Sequence, residues 1–240
     1  MPGVLDSDAG RAAARLLREG ELTVEGRMPW SSNGTFLVTV DLGDESCRGV
    51  YKPVKGERPL WDFPPGLYRR EAAAFELSEV LGFGVVPPTV VRDGPFGTGS
   101  VQLFVPADFE QHYFTLLEQR PDLHDQLRTI CAFDVVANNT DRKGGHCLLG
   151  LDGKVWAIDN GLCFAADFKL RTVIWDFAGE TLGDELLGPL CHLAEVVPPR
   201  VAALLDDDEV AALQARAAAL VTRAAFPHDR TGQRYPWPLV

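Results

Sequence analysis

The feature that most limits what this chain can fold into is a change of texture near residue 106. Before it, short β-favouring runs surround a single strong helix; after it, helical segments dominate. Residues 21–27, 35–42 and 49–53 read as an antiparallel meander, separated by the turn material Ser31-Ser32-Asn33-Gly34 and Gly43-Asp44-Glu45-Ser46. Residues 8–18 read as a short preceding helix with Asp6 or Ser7 as cap. The spacing of Ala73, Leu77, Val80 and Leu81 predicts a helix over 68–81, stopped by Gly82 and Gly84. Two more strands, 89–92 and 99–104, flank Asp93-Gly94-Pro95. Beyond Pro106, helices are expected at 109–119, 123–137, 182–196 and 208–224, with brief strands at 147–151 and 155–158. This order implies an α+β chain: an antiparallel β-rich lobe over residues 1–105, a helical lobe over 106–240, and a cleft between them.

Composition narrows the function classes. With 23 Lys and Arg against 34 Asp and Glu, the formal charge is −11, which opposes general affinity for nucleic acid or an anionic bilayer. No apolar run approaches the length of a membrane span, and residues 1–10 lack the pattern of a secretory signal. Five widely spaced cysteines without a CxxC pattern suit reduced, mostly buried thiols. A cytoplasmic protein is expected, without a nucleic-acid partner or stable membrane association; the sequence sets no oligomeric state. The acidic run 206–209 reads as a solvated helix start.

Chemistry concentrates in Asn138-Asn139-Thr140-Asp141-Arg142-Lys143-Gly144-Gly145-His146, a loop between a helix and a strand. Eighteen residues after Asp141 comes Ile158-Asp159-Asn160-Gly161, an apolar strand ending in an acid. Two acids at the mouths of adjacent strands can converge on one cation or phosphate. Turn-forming Asp and Asn that satisfy backbone groups are the competing reading. Upstream, Lys52 lies in a strand end and Glu71 in the first turn of the strong helix, nineteen residues later. A strand lysine, a helix glutamate, a loop aspartate and a post-strand aspartate follow one another as the parts of a kinase do.

Asn139-Thr140-Asp141-Arg142 and the segment 157–164 resemble the catalytic and metal-binding segments of phosphatidylinositol 3-/4-kinase-like proteins, above all the type II lipid 4-kinases, with a relation to HipA-type kinases. Segments 70–75 and 85–89 resemble their helix and following strand. The resemblance implies a two-lobed protein-kinase-like fold with a minimal helical lobe, binding ATP with Mg²⁺ or Mn²⁺. It implies that Lys52 contacts phosphates, Glu71 holds Lys52, Asp141 is the catalytic aspartate and Asp159 the principal metal ligand. Ser31, Ser32, Asn33, Gly34 and Thr35 would form the turn covering the phosphates, and Gln102, Leu103 and Val105 the connector against adenine. Directly after Asp141, Arg142 and Lys143 are candidates to offset charge on the transferring phosphoryl group, with solvated loop cations as the competing reading.

One position departs from the pattern. Where kinases place an asparagine for a second metal, this chain has His146. Three readings stand open: a changed metal preference, since imidazole suits manganese or zinc better than magnesium; a shift of the ligand role to Asn139 or Asn160; or a weakened or dead kinase. The expected activity is transfer of the γ-phosphate of ATP to a hydroxyl of a protein or small-molecule acceptor. A nucleotide-binding pseudokinase, or AMP transfer from the same site, is the alternative. A lipid acceptor is disfavoured because no basic cluster or amphipathic basic helix is present to dock on a bilayer. Within segment 165–175, Lys169 and Arg171 are candidates to face an acidic partner.

Overall fold

A computed structural model describes residues 8–29, 31 and 33–240. Among these, helix α1 (Asp8–Glu19) leads into strands β1 (Glu21–Arg27), β2 (Phe36–Leu42) and β3 (Glu45–Pro53). Helix α2 (Leu67–Val80) follows, then β4 (Thr89–Gly94) and β5 (Gly97–Leu103). The five strands form one antiparallel sheet in the order β1-β2-β3-β5-β4. Because side chains alternate along a strand, Val38, Val40, Tyr51, Val90 and Val101 share a face and bury it against Leu16 and Leu17 of α1.

The β2–β3 and β4–β5 hairpins are tighter than the composition suggests. Of the four residues expected to turn between β2 and β3, only Gly43 and Asp44 do so, with Gly43 at φ 61°. Glu45 and Ser46 gain ladder partners in Leu42 and Asp41, so β3 starts four residues before the expected Gly49. Between β4 and β5 the turn is Pro95-Phe96 and not Asp93-Gly94-Pro95; Gly97 at φ 101° closes it. Asp6 and Ser7, read as helix caps, lie outside the described residues.

Helix α2 is buried nearly all round: Ala72, Ala73, Ala74, Phe75 and Leu77 are each 3% exposed or less. A helix covered on every side lies between layers and not on a surface. Of the α2 residues, Ala73, Ala74, Phe75 and Leu77 belong to the large core of the carboxy-terminal half, together with Tyr113, Leu127, Phe133 and Phe164.

The connector after β5 leads to β6 (Ala107–Asp108), α3 (Tyr113–Gln119), α4 (His124–Ala137), β7 (Cys147–Gly150), β8 (Val155–Ala157), α5 (Asp184–Glu195), α6 (Pro199–Ala202) and α7 (Asp207–Arg223). Strands β6, β7 and β8 make a small second sheet. Neither β6 nor α6 is legible in the sequence, and α3 begins at Tyr113, after a turn where helix was expected from residue 109. Cys131, Cys147 and Cys163 are buried and free. No helix among the described residues is long and apolar enough to cross a membrane. Residue 239 lies against the loop that follows α4, where the Gly144 N–H donates to the Leu239 carbonyl at 2.7 Å.

Candidate active site

Lys52 is the hinge of the site. Strand β3 carries it opposite Ser100 of β5, which fixes its direction. Its Nζ donates to Glu71 Oε1 on α2 and, at 2.8 Å, to Asp159 Oδ1 just past β8. Three segments separated by up to 107 residues thus meet on one ammonium. Burial lowers the pKa of Lys52, but the charges of Asp159 and Glu71 outweigh it and leave it raised. In turn Lys52, then His146 and Lys143, hold the Asp159 carboxyl well below the ordinary range, against the opposing effect of burial. Glu71 also accepts the backbone N–H of Asn160 at 3.1 Å, so one carboxylate positions both the lysine and the segment that bears Asp159. Asp159 has φ 57°, a left-handed conformation that Asp tolerates better than most residues.

Across the same cavity stand Asp141, Lys143 and His146. Asp141 has its pKa raised, chiefly by burial, while Lys143, 3.0 Å from its Oδ2, pulls the other way. His146 is the last residue of a short 3-10 turn (Gly144–His146). Its Nδ1 lies 3.0 Å from the Asp141 carbonyl oxygen and 3.5 Å from the Lys143 backbone nitrogen; the shorter contact, to an oxygen that can only accept, is satisfied by a proton on Nδ1. Its Nε2 lies 3.5 Å from Asp159 Oδ2. Burial is the main cause that lowers the pKa of His146 to about 4, so the ring is neutral at pH 7 with a free lone pair on Nε2. A carboxylate and a neutral imidazole nitrogen facing each other are a donor set that fits a divalent cation, although the described residues hold no preformed cluster of three or more such groups. The cavity measures about 450 Å³ and is lined by Lys52, Glu71, Asp141, Lys143, His146 and Asp159 together with the turn that precedes β2.

Beneath this surface lies a frame the sequence does not announce. Arg142 and Asp134 form an ion pair with both side chains fully buried. Arg142 also donates to the Ile158 carbonyl and to Asn160 Oδ1, each at 2.6 Å, while Asp134 accepts from Asn139 and from Thr172. Helix α4, the loop after it, the Asp159 segment and segment 165–175 are pinned at one point. Asn138 makes the geometry possible: at φ 54° it ends α4 in the left-handed region and turns the chain back over Asp134. A second buried pair, Arg70 with Glu209, joins α2 to the first turn of α7.

Alignment with known chains adds a relative and a fold. No family model matches the sequence. Protein Rv2133c of Mycobacterium tuberculosis is 40% identical over 264 aligned positions, covering 93% of this chain and 94% of that protein. The chain belongs to the Rv2133c family. Among solved structures, a Golgi casein kinase with manganese and ADP bound superimposes on this Rv2133c relative with TM-score 0.58 at 15% identity, covering 98% of this chain and 81% of that one. A hydra Fam20 structure with sugar gives TM-score 0.57 at 16% identity, covering 91% and 90%. At such low identity the likeness speaks for architecture: this Rv2133c-family chain has the two-lobed, kinase-like α+β fold that its sequence implied.

Several expected roles are displaced. Arg142 is 0% exposed and committed to Asp134, so it has no path to a phosphoryl group; Lys143 lines the cavity instead. Asn139 donates through Nδ2 to Asp134, accepts the Asp141 N–H through Oδ1 and is 1% exposed, so its amide faces the frame and does not line the cavity. Asn160 is similarly spent on Arg142 and the Ala157 carbonyl. Gln102 points to Thr89, and neither it nor Leu103 nor Val105 lines the cavity. In the covering turn Ser31, Asn33, Gly34 and Thr35 do line it, whereas Ser32 lies outside the described residues. Yet the Gly34 N–H is spent on the Gly56 carbonyl at 2.8 Å, Asn33 accepts from the Arg58 N–H, and the hydroxyls of Ser31 and Thr35 bond each other at 2.7 Å. Arg58, Glu57 and Tyr68 line the cavity unanticipated. Their only sequence signal is proximity to the proline-rich loop before α2. Lys169 is tied at 2.6 Å to the Asp62 carbonyl of that loop. Glu209, read as solvated, is 5% exposed and pairs with Arg70.

Proposed function

We propose that the chain is an ATP-dependent phosphotransferase, with the nucleotide seated between a lobe of residues 1–105 and one of 106–240. The observation that carries this reading is the simultaneous engagement of Lys52 by Glu71 and Asp159 on the wall of a cavity that also holds Asp141. Phosphoryl transfer asks a protein mainly for positioning and charge, and these four side chains supply both. Lys52, held by Glu71, would bind nucleotide phosphates. Asp141, whose raised pKa makes it a better proton acceptor, would orient and deprotonate an acceptor hydroxyl. Lys143 would stand beside the transferring group. Asp159 and His146 would hold a divalent cation, which supplies charge neutralisation at the phosphates. Because the imidazole replaces an oxygen donor, manganese is expected to serve at least as well as magnesium. The Golgi casein kinase structure that shares the fold holds manganese and ADP, which supports the same kinds of ligand here.

The motifs around Asp141 and Asp159 favour a phosphatidylinositol 3-/4-kinase-like subtype, whereas the net charge of −11 favours a protein hydroxyl or small polar acceptor over a lipid, in a cytoplasmic setting. The test is incubation of the purified chain with γ-labelled or α-labelled ATP, Mg²⁺ or Mn²⁺, and a lysate of the source organism as acceptor. Label is expected from the γ position alone and should be lost in Asp159→Asn, with circular dichroism unchanged. Transfer from the α position would assign AMP transfer, and tight nucleotide binding without either label would make the chain a pseudokinase.

A further inference from the structure

A second cavity of about 500 Å³ adjoins the cleft and shares Gly34, Pro53 and Arg58 with it. Its cations are Arg27 at the end of β1, Lys55 and Arg58; its apolar surface comes from Phe36, Phe96 and Pro53. No acidic residue lines it among the described residues. The rings of Phe36 and Phe96 meet at 4.5 Å between centroids, and Tyr51 stacks on Phe96 at 6.4 Å, so the aromatic floor is braced from the sheet. None of the three cations is in an ion pair among the described residues, although the chain carries eleven more formal negative charges than positive ones. Three unmatched cations gathered on an acidic protein are a local departure that wants an anion.

The cavity also abuts the covering turn. A Cβ on Gly56 would lie 2.6 Å from the Gly34 carbonyl oxygen, and one on Gly34 would lie 2.9 Å from the Gly56 Cα, so the two segments touch backbone to backbone. Whatever presses on Lys55 or Arg58 presses on the turn.

We propose that this cavity is a docking site for an acidic peptide segment of a partner protein, in which carboxylates flank one apolar side chain. All three cations are exposed and the Phe96 ring is 41% exposed, so the groove has no roof, and its occupant must bring a covering surface of its own. A peptide does so; a small metabolite does not. Screening over about 8 Å at physiological salt lets a short segment feel only the three cations. Nucleic acid or an anionic bilayer extends over many such lengths and meets the negative remainder of the surface. The apolar side chain rests on Phe36 and Phe96, and the carboxylates take Arg27, Lys55 and Arg58 in charge-assisted hydrogen bonds. The site stands on this geometry alone and does not depend on phosphotransfer.

The test is fluorescence anisotropy of the full chain with a labelled peptide of alternating Asp and Glu around one central Phe. The wild type is expected to bind it, with affinity falling as salt rises. Arg27→Glu combined with Lys55→Glu should weaken binding by about tenfold or more. Phe96→Ala, or a probe with Ser for the central Phe, should weaken it several-fold. All altered side chains are exposed, and unchanged thermal midpoints certify the fold. Absence of binding, affinity unchanged in the charge-reversed variant, or tighter binding of oligothymidylate or phosphatidylserine vesicles through the same residues would each overturn the proposal.

Discussion

The two walls of the cleft are built on opposite plans. On one side, Asp134, Asn139, Arg142, Asn160 and Thr172 are all 1% exposed or less, and each makes at least one side-chain hydrogen bond inside the frame. On the other, the turn before β2 is held mainly by backbone bonds, from the Met28 N–H to the Thr35 carbonyl at 2.9 Å and from the Gly34 N–H to the Gly56 carbonyl, with side-chain bonds only from the Arg58 N–H to Asn33 and between Ser31 and Thr35. Preorganisation is concentrated where Asp141, His146 and Asp159 must keep their mutual geometry. The covering wall relies instead on backbone packing, with Gly34 pressed against Gly56, and on few side-chain bonds.

Cutting the frame should give the largest effect. Arg142→Met strands a buried carboxylate, and chemical denaturation should show a loss of about 3–5 kcal/mol. Adding Asp134→Leu to that variant should return part of the loss, since a buried pair replaced together is far cheaper than one left half-made. If the single change costs less than about 1 kcal/mol, the contrast between the walls fails.

Acid should act next, through His146. Its folded pKa of about 4 lies below its ordinary 6.5, so between those values the unfolded chain binds the extra proton. The contribution is therefore complete above about pH 6.5 and fades as pH falls to about 4, by up to about 3 kcal/mol. His146→Gln should flatten that part of the stability profile, and denaturation at pH 7 and pH 4.5 measures it.

On the covering wall, Gly56→Ala forces a methyl against the Gly34 carbonyl oxygen and should cost about 1–3 kcal/mol. Ser31→Ala removes one half-exposed hydroxyl bond and should cost about 1 kcal/mol or less by thermal denaturation. A Ser31→Ala cost approaching that of Arg142→Met would show the two walls to be equally rigid.

The gap between sequence and structure follows the same division. Strand β1 runs from Glu21 to Arg27 as its composition indicates, and Lys52, Glu71, Asp141 and Asp159 sit where their order implied, because strand ends and helix starts announce themselves locally. The frame was not legible. Asp134 and Arg142 straddle a helix end, and only the left-handed Asn138 folds one back on the other. Asn139 carried a metal-ligand expectation and Arg142 a catalytic one because polar residues beside an active aspartate look alike in sequence whether they face the cleft or the core. Strand β6 has two residues and a partner about forty positions away, too little pattern for any periodicity to register. Glu45 and Ser46 favour turns in isolation, and ladder pairing overrode them.

The ammonium of Lys52 stands on Oδ1 of Asp159, while Oδ2 of the same carboxylate faces the His146 ring. In the proposed reading one carboxylate therefore serves two cations, the ammonium on one oxygen and a divalent ion on the other. Two cations sharing one anion repel each other, and the phosphates of a nucleotide relieve that repulsion. Nucleotide and metal would then bind as a cooperative pair, each raising the affinity for the other.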